Sequence, residues 1–442
     1  MNRVGIRRED KNPWERRAPL TPSQAARLIE SHKLDIYVQP STQRVFPDAA
    51  YRQAGAMVEE DLSSCSVILG VKEIPRDFFY KAKTYLFFSH TIKGQPYNMP
   101  MLSAMMAMGC QLIDYERIVD ETGKRLVLFG RHAGLAGMIE SLHALGKRLT
   151  AEGLADDANP FAEIKQPYLY KELEEAKAHL REIAKNIRSK GLPTSLTPLV
   201  VAFLGYGNVA NGAMEILDCL PCVEVQPEDL KDLAERDNIK HVIFKVVFRE
   251  EDTVEPIDTS KGFSLDEYYR HPDRYLANFS RFLPHLTVLI NAIYWDQRFP
   301  VLVDAHHLKE LFAGPQRPAL RVIGDITCDI EGSIAVTRKA TLPDNPCYVY
   351  DAIEGCIGDG VSNLRGPVIM AVDILPTEFP VEASDHFGNA LLPFLPALAS
   401  CNFSSSFERL NLPEPIKRAM ILHQGKLTAD YKYLEKYVRE AV

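Results

Sequence analysis

The sequence predicts an α/β fold: two doubly wound parallel-sheet domains with an active-site cleft between them. Three observations carry this prediction. The chain has 442 residues, too many for one hydrophobic core. Its early part alternates apolar, strand-like runs with helical patterns, the habit of parallel sheets. Farther on, Gly205-Tyr206-Gly207-Asn208-Val209-Ala210 stands between a continuous apolar run and a helical pattern. That is where a Rossmann-like domain places its glycine turn.

Residues 2–6 read as the first strand. Thr21 is placed to cap a helix whose first position is Pro22. Residues 35–38 read as a second strand and 51–55 as a short helix. The run 66–75 reads as a buried strand that delivers Lys72 near its end, with Pro75 forbidding continuation. Residues 85–89 read as another buried strand, ending at His90. Residues 126–129 read as a strand leading into Gly130-Arg131-His132-Ala133-Gly134-Leu135-Ala136-Gly137. Small side chains there permit close backbone packing at the start of a long helix, a crossover between domains. Residues 151–195 read as helix plus connector. Strands follow at 199–204, 242–248, 287–293 and 319–323, with a helix at 210–217 and further helices at 391–398 and 415–437. The expected division is a substrate-binding half, 1–130 plus 376–442, and a nucleotide-binding half, 131–375.

Composition narrows the function. A formal net charge of -8 argues against nucleic acid, which normally calls for a basic domain. No apolar stretch approaches the ~18–20 residues of a membrane span. The cysteines mostly sit in apolar runs, as reduced, buried thiols do. Cys219-Leu220-Pro221-Cys222 lacks a second ligand pair, so no metal site is expected. An intracellular protein without disulfides follows, cytoplasmic, or of the mitochondrial matrix if a presequence was removed.

Lys72 and His90 are the candidate proton-transfer groups. Two strand ends bring them to one sheet edge, where open α/β sheets bind ligands. A desolvated Lys loses pKa, and His titrates near neutrality. The competing reading is that each merely marks where a strand meets water. In the glycine turn, Gly205 makes the bend and Gly207 lets the backbone approach a pyrophosphate. Asn208 and Val209 open the helix whose N-terminus holds the anion. A tight turn without ligand is the alternative. Glu224 lies near the ~20-residue offset at which an acid grips the ribose hydroxyls of NAD. Residues 242–248 make a better second strand, and the Arg249 that follows suits the 2′-phosphate of NADP. NADP, as NADPH in the reduced form, is therefore the expected cofactor. Asp325 either faces the nicotinamide side or caps a turn.

Pro13-Trp14-Glu15-Arg16-Arg17-Ala18-Pro19-Leu20-Thr21-Pro22 resembles the N-terminal signature shared by alanine dehydrogenase, nicotinamide nucleotide transhydrogenase and saccharopine dehydrogenases. Val71-Lys72-Glu73-Ile74-Pro75, His90 and the glycine turn continue the match. Phe88-Ser89-His90-Thr91-Ile92-Lys93, Gly324-Asp325-Ile326-Thr327-Cys328-Asp329 and Leu427-Thr428-Ala429-Asp430-Tyr431-Lys432-Tyr433 resemble the saccharopine branch. Within it, the likeness is to the lysine–2-oxoglutarate reductase domain of aminoadipic semialdehyde synthases.

The resemblance implies that lysine and 2-oxoglutarate condense and that NADPH reduces the imine to saccharopine. It implies that Lys72 takes a proton from the lysine ε-ammonium and that His90 serves the carbonyl oxygen. Three substrate carboxylates call for fixed cations. Arg17 comes first, carried over from the signature, then Arg16, Lys93 and Arg125. Glu116 and Asp120 are candidates for the ammonium groups, with a solvated charged turn as the competing reading. The resemblance also implies a partner, a glutamate-forming saccharopine dehydrogenase domain, fused or separate. Other readings are a lysine-forming NAD-linked saccharopine dehydrogenase, an alanine dehydrogenase-like enzyme, and a catalytically silent nucleotide-binding redox sensor.

Overall fold

In the computed structural model, which describes residues 2–155 and 158–441, the first strand is the middle of a sheet. Strand β1 (Arg3–Ile6) pairs in parallel with β2 (Asp35–Val38), which carries β3 (Met57–Val58) at the edge. On its other side β1 pairs with β4 (Val67–Leu69), followed by β5 (Thr84–Phe87) and β6 (Gln111–Asp114), all parallel. The spatial order β3-β2-β1-β4-β5-β6 reverses direction between β1 and β4. The carboxyl ends of these two strands are therefore a topological switch point, where open sheets leave a crevice. Every residue of β4, β5 and β6 is buried, as in a parallel sheet covered on both faces. Helix α1 (Pro22–His32) starts as its sequence requires. Thr21 Oγ1 accepts from the Gln24 N–H, and Gln24 Oε1 accepts from the Thr21 N–H, a reciprocal cap.

The chain divides into two units, Met1–Phe129 with Pro380–Val442, and Gly130–Phe379. Four expectations for individual elements need correction. Strand β4 stops at Leu69 and β5 at Phe87, so Lys72 and His90 sit in the loops beyond them. Residues 126–129 form no strand; the neighbouring Arg125 makes only an isolated bridge with Val119. The stretch 415–437 is not one helix. It holds the short helix Glu414–Arg418 and the hairpin Met420–His423 with Lys426–Leu427, whose first strand lies antiparallel to β6. The hairpin turn places Gln424 and Gly425 both at positive φ, 49° and 73°. Two successive left-handed residues are the signature of a tight hairpin.

The second unit opens with α2 (Gly130–Ala151). Its sheet is built on β7 (Val200–Leu204), followed in sequence by α3 (Asn208–Leu217), β8 (Cys222–Val225) and β9 (Ile243–Phe248). A small hairpin, β10 (Val254–Pro256) with β11 (Tyr275–Ala277), stands apart. Then come β12 (Val288–Asn291), β13 (Val322–Asp325), the antiparallel β14 (Cys347–Asp351) and β15 (Cys356–Asp359), and β16 (Val368–Met370). The order is β15-β14-β16-β13-β12-β7-β9-β8. Strand β9, not β8, lies against β7; β8 forms the edge, with most of its side chains outside the core. Apolar clusters cover both faces of this sheet.

Helices α2 and α3 approach through glycine. A Cβ on Gly134 would stand 1.9 Å from the Val209 carbonyl oxygen, and one on Gly212 would stand 2.1 Å from that of Arg131. Backbone-to-backbone packing this close tolerates no side chain. Gly212→Val is expected to destabilise the protein by about 1–3 kcal/mol or more, read as a lowered denaturant midpoint. Gly207→Ala, where a Cβ meets nothing within 4 Å, should change stability by less than about 0.5 kcal/mol. Equal effects of the two substitutions would refute this packing.

Candidate functional site

The switch point of the first unit gathers a cluster of charges. Glu9, in the loop after β1, is buried, and its Oε1 and Oε2 accept from the backbone N–H groups of Val71 and Lys72 at 2.7 and 2.9 Å. The carboxylate thus ties the end of β1 to the loop carrying Lys72. Burial, together with the nearby charge of Glu15, pushes the Glu9 carboxyl up to about 7. Burial also pushes the Lys72 ammonium down, and the charge of Arg17 acts in the same sense; Glu15 and Glu73 oppose them. The sequence expectation for Lys72, a desolvated amine, has this physical basis.

His90 is held from two directions. Its Nδ1 lies 2.7 Å from Glu73 Oε1, and its carbonyl accepts from Asn98 Nδ2 at 3.2 Å. Its backbone is left-handed, φ 47°, a conformation that costs a non-glycine residue about 1–2 kcal/mol. Glu73 also accepts from Lys11 Nζ at 2.6 Å. Burial pushes the Glu73 carboxyl up, but the hydrogen bonds from His90 and Lys11 outweigh it and hold the group at about 2. Glu73 therefore stays ionised. With Nδ1–H directed at that carboxylate, Nε2 of a neutral His90 is the free acceptor.

Arg17 is buried and grips Glu15 bidentately, Nε to Oε1 at 2.7 Å and Nη2 to Oε2 at 2.5 Å. Its guanidinium lies 4.1 Å over the Phe129 ring. The structure thus links Lys72, Glu73, His90, Glu15 and Arg17 in one cluster. The other predicted residues lie differently. Arg16 and Lys93 are exposed. Arg125 forms an ion pair with Glu116. Asp120 accepts from the Thr122 N–H at 2.9 Å, the Thr122 hydroxyl at 2.7 Å and the Lys124 N–H at 3.0 Å. These contacts close a local turn.

Sequence reasoning missed Glu9, Glu15 and Glu73. Glu15 lies in the same signature as Arg17, and Glu73 directly follows Lys72, so adjacency was a usable signal for both. Glu9 had none, because its partners lie more than sixty positions away.

In the second unit the glycine turn follows β7. Gly205 has φ 96°, and a Cβ there would meet the Ala292 carbonyl oxygen at 3.0 Å. Gly207 precedes α3, with Asn208 its first residue and Val209 packed against the core. A cavity of about 240 Å³ opens here at the carboxyl ends of β7, β9 and β12, with Tyr206, Arg249, Tyr294 and Trp295 in its lining. An aromatic-lined cavity beside an open glycine turn suits a dinucleotide. Because β9 adjoins β7, exposed Arg249 stands at the strand end beside the glycine turn. Glu224 is on edge strand β8 and pairs with Lys245 at 3.2 Å. Asp325 is buried at the end of β13 and accepts from Asn291 Nδ2 at 2.8 Å, the Cys328 N–H at 3.2 Å and Thr337 Oγ1 at 2.5 Å. Burial raises its carboxyl to about 6 despite these donors. It fastens the turn after β13. Among the described residues, no group of three or more His, Cys, Asp or Glu could hold a metal ion. Among those same residues, no helix is long and apolar enough to cross a membrane.

Comparison with known proteins follows the same lines. Residues 5–136 match the alanine dehydrogenase/PNT N-terminal domain. The chain is 40% identical to an alpha-aminoadipic semialdehyde synthase of Arabidopsis thaliana, over 98% of this chain and 41% of that protein. It thus spans less than half the length of that relative. It is 26% identical to an NAD(+), L-lysine-forming saccharopine dehydrogenase of Emericella nidulans, over 89% of this chain and 91% of the other. The solved structure of an L-alanine dehydrogenase aligns over 100% of both chains with a TM-score of 0.61 at 17% identity, a likeness of fold.

Glu9 gives a pH dependence whose sign is determined. Its pKa is higher in the folded protein, about 7, than the ordinary 4.5. The folded state therefore binds the proton more tightly than the unfolded chain. The resulting stability is complete below about pH 4.5 and is lost as pH rises through about 7. Glu9→Gln, never charged, is expected to flatten this part of the curve of denaturant midpoint against pH. An unaltered slope would remove Glu9 from the linkage.

Proposed function

We propose that the chain is a saccharopine-forming reductase, a reading supported by the match of residues 5–136 to the alanine dehydrogenase/PNT N-terminal domain and by the similarity to an alpha-aminoadipic semialdehyde synthase. In this reading lysine condenses with 2-oxoglutarate and the imine is reduced with NADPH. The observation that carries it is the Lys72–Glu73–His90 arrangement at the switch point. A lysine whose proton is loosened by burial is followed directly by the ionised carboxylate that orients the histidine.

Lys72 Nζ accepts a proton from the substrate ε-ammonium, freeing its lone pair to attack the keto carbon. His90, once its Nε2 has taken up a proton to form the imidazolium, gives that proton to the hydroxyl of the carbinolamine, which departs as water and leaves the protonated imine. Glu73 keeps the ring oriented and stabilises its charged form. Arg17, braced on Glu15, offers its Nη1 edge to a substrate carboxylate, and exposed Arg16 and Lys93 are further cations for the remaining carboxylates. Glu116 and Arg125 already neutralise each other. The bound dinucleotide supplies the hydride. Gly205, Gly207, Asn208 and Val209 would hold its pyrophosphate, and Arg249 its 2′-phosphate. The same reading gives the chain a glutamate-forming saccharopine dehydrogenase as its partner, fused or separate.

A second reading is a lysine-forming, NAD-linked saccharopine dehydrogenase, favoured by the name of the Emericella nidulans relative. It differs in cofactor and direction, not in the proton-transfer residues.

Loss of nicotinamide absorbance tests the proposal. Oxidation of NADPH is expected only with lysine and 2-oxoglutarate together, and not when ammonia replaces lysine. No oxidation by a protein that binds the nucleotide would replace this reading with that of a silent sensor. Lys72→Met and His90→Gln should each lower kcat about 10²–10⁴-fold; full activity in either would remove that residue from the mechanism. Arg249→Ala should weaken NADPH more than NADH.

A further inference from the structure

Glu250 follows Arg249 and lines the same cavity. A carboxylate at this strand end has the chemistry to grip the 2′- and 3′-hydroxyls of an unphosphorylated ribose, and to repel a 2′-phosphate. Here it has partners already. Tyr206 Oη donates to Glu250 Oε2 at 3.0 Å, and Tyr269 Oη donates to Oε1 at 2.5 Å. The two hydroxyls come from separate segments. Tyr206 is the middle residue of the glycine turn, and Tyr269 lies on the helix Leu265–Arg270. Burial raises both phenols above their ordinary pKa, and the Glu250 charge adds to the rise, so both remain protonated donors.

The same contacts place the cation. The Arg249 guanidinium lies 4.9 Å over the Tyr206 ring. The bond from Tyr206 to Glu250 therefore fixes the ring on which Arg249 rests. One tyrosine both occupies the acid and supports the base, and the second tyrosine holds the acid's other oxygen.

We propose that Tyr206 and Tyr269 are specificity determinants for the dinucleotide. By occupying Glu250 they keep its carboxylate from the ribose hydroxyls and leave Arg249 to select a 2′-phosphate. The proposal rests on the nucleotide-binding reading of this cavity. Without these two hydroxyls, Glu250 is free to take the ribose of NADH.

Calorimetric titration of the full chain with NADPH and with NADH provides the test. Y206F/Y269F is expected to shift the ratio of the two dissociation constants about tenfold toward NADH, the scale of hydrogen bonds to a charged group. In an E250Q background the same pair of substitutions should shift it little, because no carboxylate is left to release. Both tyrosines are substantially exposed, and thermal melting of each variant checks that it folds. A ratio within about twofold of wild type in Y206F/Y269F would overturn the proposal. So would an equal shift with and without Glu250, which would make the tyrosines direct nucleotide contacts. R249A tests the parent assignment separately: an unchanged ratio there removes Arg249 as the phosphate contact, whatever the tyrosine variants do. A wild-type protein that binds neither dinucleotide overturns both.

Discussion

Glu9 joins the two strands between which the first sheet reverses its order. Its carboxylate takes the N–H groups of Val71 and Lys72, two donors that the end of β4 leaves without sheet partners. Backbone donors shielded from water need an acceptor. A glutamate supplies two from one side chain. The position of Lys72 depends on this contact, and so does the line of acids around it.

Charge compensation organises the remainder of that cluster. Arg17 and Glu15 are both nearly inaccessible to solvent. Removing either partner of a buried pair typically costs about 3–5 kcal/mol, because the other charge is left uncompensated. Glu15 is therefore as much part of the signature as the arginine it holds. Glu73 does the corresponding work for His90, with Lys11 on its other oxygen. The left-handed backbone of His90 is strain that the surrounding contacts sustain. These contacts leave Lys72 with a weakened hold on its proton and His90 with one nitrogen committed.

In the second unit the governing constraint is steric. Gly134 and Gly212 let α2 and α3 meet backbone to backbone, which seats the glycine turn at the head of α3. Strand order then sets which strand end lies beside the glycine turn. Chain order runs β7, β8, β9, yet β9 takes the place beside β7. A fixed offset counted along the sequence points to Glu224; the sheet puts Arg249 and Glu250 there. Tyr206 and Tyr269, from two segments, hold Glu250 at that strand end.

Much of this was legible in the residues. Apolar runs located most of the strands, since a parallel sheet buried on both faces demands continuous hydrophobicity. Thr21, Pro22 and Gln24 specified the start of α1, because capping is local chemistry. The glycine turn was readable through Gly205, whose backbone is left-handed, and the small residues of α2 because only small side chains fit its close approach to α3. The hairpin after residue 418 was misread as helix, because a short apolar run carries no clear period and its pairing to β6 is remote. The contacts of Glu9 and the burial of Arg17 on Glu15 belong to tertiary structure alone. Local propensity and spacing act over a few residues, whereas a carboxylate's partner is decided by which distant strand the sheet brings alongside it.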